Sequence, residues 1–137
     1  MIAVNYIDSN VFIFAALDQG PRGTKSREII RTLCSGELRG ITSALTVDEV
    51  VWKIWQQTKN RREAIKEGQR ILRFDNLSIA DAGRGTMHHA LELMSEYELK
   101  PRDAIHLAVA LSSGCSAIIS DDADFDRIKE IKRIKLD

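Results

Sequence analysis

Acidic residues stand at four places in this chain where a short apolar run ends or a helix begins. Asp8 closes the run up to Ile7, and Asp121 and Asp122 follow Ala117-Ile118-Ile119-Ser120. Glu49 lies near the start of a helical stretch, and Asp103 lies in the first turn after Pro101. Taken singly, two of them have ordinary explanations. Thr46-Val47-Asp48-Glu49 has the S/T-x-x-E spacing of a capping box, and an acid in a first turn is favoured by the helix dipole. Taken together, they put charge at the rim of a core. Two carboxylates about 4 Å apart repel by roughly 4 kcal/mol at an effective dielectric of 20. Four gathered at one place therefore require a cation or raised pKa values. A set of oxygen donors without suitable His or Cys favours a hard ion, Mg²⁺ or Mn²⁺. Such an ion suits phosphodiester hydrolysis, because it activates water and stabilises charge growing on a phosphate oxygen.

Those acids can meet only if the intervening elements bring them together. Ile2 to Ile7 is short, apolar and β-branched, which predicts a buried parallel strand. Val11 to Leu17 fits one or two helical turns, and Gln19 to Gly23 reads as a loop with two glycines and a proline. A helix is expected from about Lys25, with Gly36 as its stop. A very short strand at Arg39 to Ile41 precedes Thr42-Ser43, which introduces a helix over Thr46 to Gln56. Val47, Val50, Val51 and Ile54 form its buried stripe, and Trp52 and Trp55 on a neighbouring face suit a subunit contact. Residues 61 to 73 predict a basic amphipathic helix, and Leu77 to Ile79 a short strand. A long helix from about Asp81 carries Ala90, Leu91, Leu93 and Met94 as core candidates.

Pro101 suits a first helical turn, and Ala104 to Leu111 is apolar except for His106, so this helix is expected to be central. Ala117 to Ile119 is a second buried strand, and Ile131 to Leu136 alternates as an edge strand would. Short apolar strands between helices predict an α/β fold, a three-layer α/β/α sandwich with a mainly parallel sheet. One domain is expected over residues 1–137. In an open parallel sheet, ligands sit beyond the carboxyl ends of the strands. If the strands before Asp8 and Asp122 are neighbours, the two acids converge.

Composition narrows the class further. Hydrophobic residues make up 44%, enough for a core that needs no disulfide framework, and Cys34 and Cys115 are isolated and expected to be reduced and partly buried. Lys plus Arg equals Asp plus Glu at 20 each, yet the signs separate along the chain. Basic residues gather at 59–73 and 129–135 and acids at 121–126, which allows an acidic pocket with a basic rim. The opening MIAVNYIDSN lacks the pattern of a signal peptide, and no apolar run approaches the roughly 18 residues of a membrane span, so a cytoplasmic location is expected. His106 is three residues after Asp103 on one helical face, where a buried histidine satisfied by hydrogen bonding is the expectation. His88 and His89 are adjacent and cannot form an i, i+4 metal pair.

Four stretches in order resemble the successive motifs of PIN domains: Tyr6-Ile7-Asp8-Ser9-Asn10-Val11, Thr46-Val47-Asp48-Glu49-Val50, Arg102-Asp103-Ala104-Ile105-His106-Leu107-Ala108, and Ile119-Ser120-Asp121-Asp122-Ala123-Asp124-Phe125. In spacing and flanking residues they are most similar to the VapC-type toxins of toxin–antitoxin pairs. The resemblance implies a Mg²⁺- or Mn²⁺-dependent endoribonuclease that forms homodimers, acts on RNA and is inhibited by a small antitoxin protein. It places Asp8, Glu49, Asp103 and Asp122 at the catalytic, metal-binding positions and Asp124 as an extra acid. It gives Asn10 and Ser120 supporting roles in orienting carboxylates, and its hydroxyl-x-Asp spacing selects Asp122 over Asp121. Hydrolysis by such enzymes leaves a 5′-phosphate and a 3′-hydroxyl. The alternatives are a catalytically silent PIN-like metal- or RNA-binding protein and a phosphoacceptor receiver domain. The receiver needs a lysine closing a late strand, and no strand here ends in one at a fitting position.

Overall fold

The computed structural model describes residues 3–137. It contains five strands, β1 (Val4–Ile7), β2 (Arg39–Ser43), β3 (Leu77–Ala80), β4 (Ala117–Ile119) and β5 (Lys132–Ile134). Six helices accompany them, α1 (Ser9–Leu17), α2 (Pro21–Ser35), α3 (Ala44–Thr58), α4 (Arg61–Ile71), α5 (Arg84–Glu96) and α6 (Pro101–Ser112). A 3₁₀ turn at Ala123–Arg127 follows β4. Ile2, which the sequence pattern assigns to the first strand, lies outside the described residues.

All strand pairs are parallel, in the order β3-β2-β1-β4-β5. Alternation along β1 sends successive side chains to opposite faces. Tyr6 joins a core with Leu107, Ala108, Ile118 and Phe125 on the side of α5 and α6. Ile7 joins Val11, Leu33, Val50, Ile54 and Ile71 on the side of α1 to α4. Helices therefore cover both faces of the sheet, giving the expected three layers. The chain leaves β1 in one direction for β2 and β3 and later returns to its other side for β4 and β5. The reversal of strand order lies between β1 and β4, the place where α/β sheets open a crevice at their carboxyl ends.

Three local expectations change. Helix α2 begins at Pro21, inside the segment read as a loop. The cause is Asp18, whose carboxylate accepts hydrogen bonds from the backbone N–H of Gly20 (3.1 Å) and Gly23 (2.8 Å), serving the first-turn donors from outside the helix. Gly23 packs so tightly that a Cβ there would lie 2.0 Å from the Asp18 carbonyl oxygen. Gly23→Ala is accordingly expected to cost more than about 2 kcal/mol, read as a fall in urea midpoint with unchanged slope. Helix α5 begins at Arg84 and leaves Leu91 60% exposed, whereas Ala90 and Leu93 are buried. Cys34 is exposed, and Cys115 is buried, with burial pushing its thiol up to about 11.

Candidate metal centre

The site lies where β1 and β4 end side by side. Their pairing sets Ile7 opposite Ile119, and the Asp8 backbone N–H donates to the Ile119 carbonyl at 3.0 Å. Asp8 is the N-cap of α1, its Oδ1 accepting from Ser9 N–H at 2.7 Å. Its Oδ2 accepts from the Ser120 hydroxyl at 2.6 Å and from Asn10 Nδ2 at 3.3 Å. Asn10 Nδ2 also reaches Ser120 Oγ at 3.2 Å, while Asn10 Oδ1 accepts from Asp121 N–H at 3.2 Å. Ser120 Oγ in turn accepts from Asp122 N–H at 3.0 Å. The two expected supporting residues thus tie the end of β1 to the loop after β4 and fix the direction of the Asp8 carboxylate, which is only 4% exposed.

Asp122 caps the 3₁₀ turn by accepting from Asp124 N–H at 2.9 Å, which turns Asp124 back toward it. Asp103 enters from the first turn of α6. Asp103, Asp122 and Asp124 each present an oxygen, and these three atoms lie within 4.8 Å of one another. Glu49, Asp103 and Asp122 line one open cleft of about 390 Å³, together with Lys100, Pro101 and Arg102. Asp121, in contrast, turns outward to pair with Arg22 at 2.8 Å.

Glu49 does not act as a capping-box residue. The N-cap of α3 is Ser43, whose hydroxyl accepts from Leu45 N–H, so Glu49 lies too far along the helix to serve its first backbone donors. Its carboxylate meets His106 Nε2 at 2.5 Å. The same nitrogen is 3.6 Å from Asp8 Oδ1, and His106 Nδ1 lies 2.6 Å from the Tyr6 hydroxyl. In the neutral ring, Nε2–H donates to Glu49 and Nδ1 accepts from the Tyr6 hydroxyl. His106 is buried and satisfied, as its sequence context implies, but its partners belong to the acidic site. Sequence reasoning missed that link, although the i, i+3 relation to Asp103 was its visible trace.

Electrostatics shows the strain of gathering these acids. The Asp103 carboxyl is raised to about 7, first by burial, then by repulsion from Asp122 and Asp8 and by a hydrogen bond with Asp122 that favours its protonated form. Burial lowers the pKa of His106, but the hydrogen bond it donates to Glu49 and the charges of Asp8, Glu49 and Asp103 outweigh it, so the net shift is upward. The donor set is all oxygen, anionic and open on one side, which fits a hard divalent cation and not a thiolate or imidazole site. Of the basic residues at the end of the chain, Arg133 is committed elsewhere. It forms a fork to Asp126 at 2.7 and 2.9 Å and donates to the Ser120 carbonyl at 3.0 Å, which braces the loop after β4.

Comparison with known proteins places the chain in a family and agrees with its fold. The model of the PIN domain matches residues 6–131. A VapC ribonuclease of Mycobacterium bovis and ribonuclease VapC13 of Mycobacterium tuberculosis are each 26% identical over 134 residues, covering 93% of this chain and 97% of the relative. Among solved structures, Mycobacterium tuberculosis VapC20, a sarcin-ricin loop cleaving toxin, superposes with a TM-score of 0.76 at 16% identity, over 93% of this chain and 97% of its own. VapBC2 from Rickettsia felis, bound to a promoter DNA fragment, gives 0.74 at 14% identity, over 96% of this chain and 98% of that one. At such identities the structural likeness is one of fold.

Proposed function

Because the chain belongs to the PIN domain family, we propose that its acidic cleft is the active site of a divalent-metal-dependent endoribonuclease, the toxin of a toxin–antitoxin pair. The observation that carries this reading is the convergence of Asp103, Asp122 and Asp124, flanked by Asp8 and Glu49, at the crevice between β1 and β4. The names of the relatives support the substrate, RNA, and the VapBC complexes among the structural neighbours support a small inhibitory protein partner. A second copy of the chain is the other partner in this reading, and residues 1–137 act as one domain in the cytoplasm.

In this assignment Asp8, Glu49, Asp103 and Asp122 hold Mg²⁺ or Mn²⁺, with Asp124 as an additional ligand. When bound, the ion supplies Lewis-acid neutralisation of phosphate charge and lowers the pKa of a nearby water. The protein's own groups do the rest. Ser120 and Asn10 keep Asp8 aimed at the cleft, and His106, held by Tyr6, does the same for Glu49. Prepositioned carboxylates spare the reaction the reorganisation that water would need. Water adds to phosphorus, the P–O3′ bond breaks, and the 3′ oxygen takes up a proton, which leaves a 5′-phosphate and a 3′-hydroxyl.

The test is cleavage of a mixed RNA pool with EDTA, and again after Mg²⁺ or Mn²⁺ is restored, with end mapping of the products. Cleavage should stop and resume, with 5′-phosphate ends; cleavage that persists in EDTA, or 2′,3′-cyclic phosphate ends, would defeat the proposal. A second outcome concerns pH. With the Asp103 carboxyl at about 7, protons compete with the cation below neutrality and not above it. The apparent Mn²⁺ dissociation constant should fall about tenfold from pH 6 to pH 8 and then level off, as read by the electron paramagnetic resonance signal of free Mn²⁺. A flat profile over that range would contradict the assignment of Asp103 as a ligand.

A further inference from the structure

A second cleft of about 640 Å³ opens beside the acidic one and shares Glu49 and Arg102 with it. One wall is a stripe of α3, and Ser9 and Ile13 of α1, Asp48 and Arg102 complete the lining. Glu49, Trp52, Lys53 and Gln56 stand at i, i+3, i+4 and i+7, so they face the same way over about 10 Å of helix. The stripe begins at a carboxylate of the candidate metal centre and continues as an aromatic ring, a cation and an amide. Trp52 is 54% exposed, a large apolar surface left open to water. Trp55 meets it edge to face at a centroid distance of 5.8 Å and carries the Arg61 guanidinium 5.8 Å from its own ring, so the Trp52 ring is buttressed from behind. Arg22, Arg127 and Arg133 are all engaged with carboxylates. Lys53 and Arg102, among the described residues, take part in no ion pair and remain available to an anion.

We infer that this cleft is a nucleotide subsite in which Trp52 stacks the base next to the scissile phosphate while Lys53 and Arg102 hold the flanking backbone. The inference rests on the endoribonuclease reading and deepens it by naming the side chains of this chain that seat an unpaired nucleotide. A base inside an A-form duplex is already stacked and cannot offer its face to a side chain, whereas a splayed base can. Stacking is tolerant of sequence, because every base has a π-face, so this subsite sets the strandedness of the substrate more than its sequence. The sequence pattern assigns the tryptophan pair to a subunit contact. Continuity of the ring with the acidic cleft, and the two free cations beside it, favour a nucleotide as its occupant.

The test uses the full chain with the Asp8→Asn substitution, so that RNA stays intact during binding. Affinity is measured for an unpaired oligoribonucleotide and for the same oligomer with an abasic position at the bound step. Trp52→Ala is expected to weaken binding of the first about tenfold or more and of the second by less than twofold, with Trp52→Phe restoring most of the loss. The chain has only two tryptophans, so in a Trp55→Phe background the emission of Trp52 should be quenched on adding the oligomer. Equal affinity of parent and Trp52→Ala for the unpaired RNA overturns the subsite, as does equal weakening for both oligomers. Sedimentation decides the remaining case: a loss of affinity that coincides with dissociation of a dimer assigns the ring to a second copy and overturns the inference. Failure of the parent to cleave RNA at all would instead sink the endoribonuclease reading, a result distinguishable from these.

Discussion

Asp8→Asn is expected to lower RNA cleavage by about 10³-fold, roughly 4 kcal/mol of transition-state stabilisation, while leaving the protein folded. The fold should survive because Asn is as good an N-cap as Asp, so Ser9 N–H keeps its acceptor. Ser120 Oγ keeps the bond it accepts from Asp122 N–H at 3.0 Å, so the loop after β4 stays tied. What the substitution removes is one negative charge from a set whose work is to hold a cation. Raising the Mn²⁺ concentration should recover part of the loss. Thermal unfolding should shift by no more than a few degrees. Wild-type cleavage by the variant, or a collapse of the fold, would each count against the role assigned to Asp8.

Asp103→Asn carries the second large effect, and its sign differs between activity and stability. Activity should fall by two orders of magnitude or more, since the substitution weakens both cation binding and the positioning of the reacting phosphate. The metal-free protein, however, should become more stable. An unfolded aspartate titrates near 3.9, and the folded Asp103 carboxyl titrates at about 7. Between these values the native state binds the extra proton, so stability falls as pH rises from about 4 to 7 and stays at its lower value above that. Asn relieves the penalty. Discounted for a carboxyl that is partly solvent-screened, the gain at pH 8 is of order 1 kcal/mol, or a few degrees in melting temperature. At pH 4 parent and variant should coincide. Excess Mn²⁺ should reverse the order at pH 8, because a cation at about 100 times its dissociation constant stabilises the parent by about 2.7 kcal/mol. A scan in which the variant is less stable without metal would mean that Asp103 is an ordinary helix-start acid.

Much of this was legible in the sequence, and the reasons are physical. β1 and β4 were visible because a strand buried on both faces must be a continuous apolar run, and each ended in acid. α6 was visible because Pro101 can only begin a helix and Gly114 readily ends one. The pairing of β1 with β4, on which the convergence of Asp8 and Asp122 depends, is a long-range fact that no local pattern encodes. Other features misled for identifiable reasons. Gly20-Pro21-Arg22-Gly23 has loop composition, yet the Asp18 side chain supplies a cap from three residues upstream and the helix starts at once. Glu49 matched a capping box because Thr46 stands three residues before it, whereas the helix had already begun at Ala44 under Ser43. Leu91 lies beside Ala90 in the apolar pattern but points outward, since only one face of α5 meets α6. The link from Tyr6 through His106 to Glu49 joins three distant stretches, and the i, i+3 spacing from Asp103 places His106 near the acids without naming its partners.

The proposed function requires these carboxylates to share a divalent cation between the ends of β1 and β4. Anomalous diffraction from crystals of the wild-type protein grown with Mn²⁺ tests it without reference to activity. The expected result is a manganese peak bounded by the carboxylates of Asp8, Asp103 and Asp122, with Glu49 or Asp124 completing its shell directly or through water. The contradicting result is an empty cleft at millimolar Mn²⁺, or manganese bound only at acids outside it.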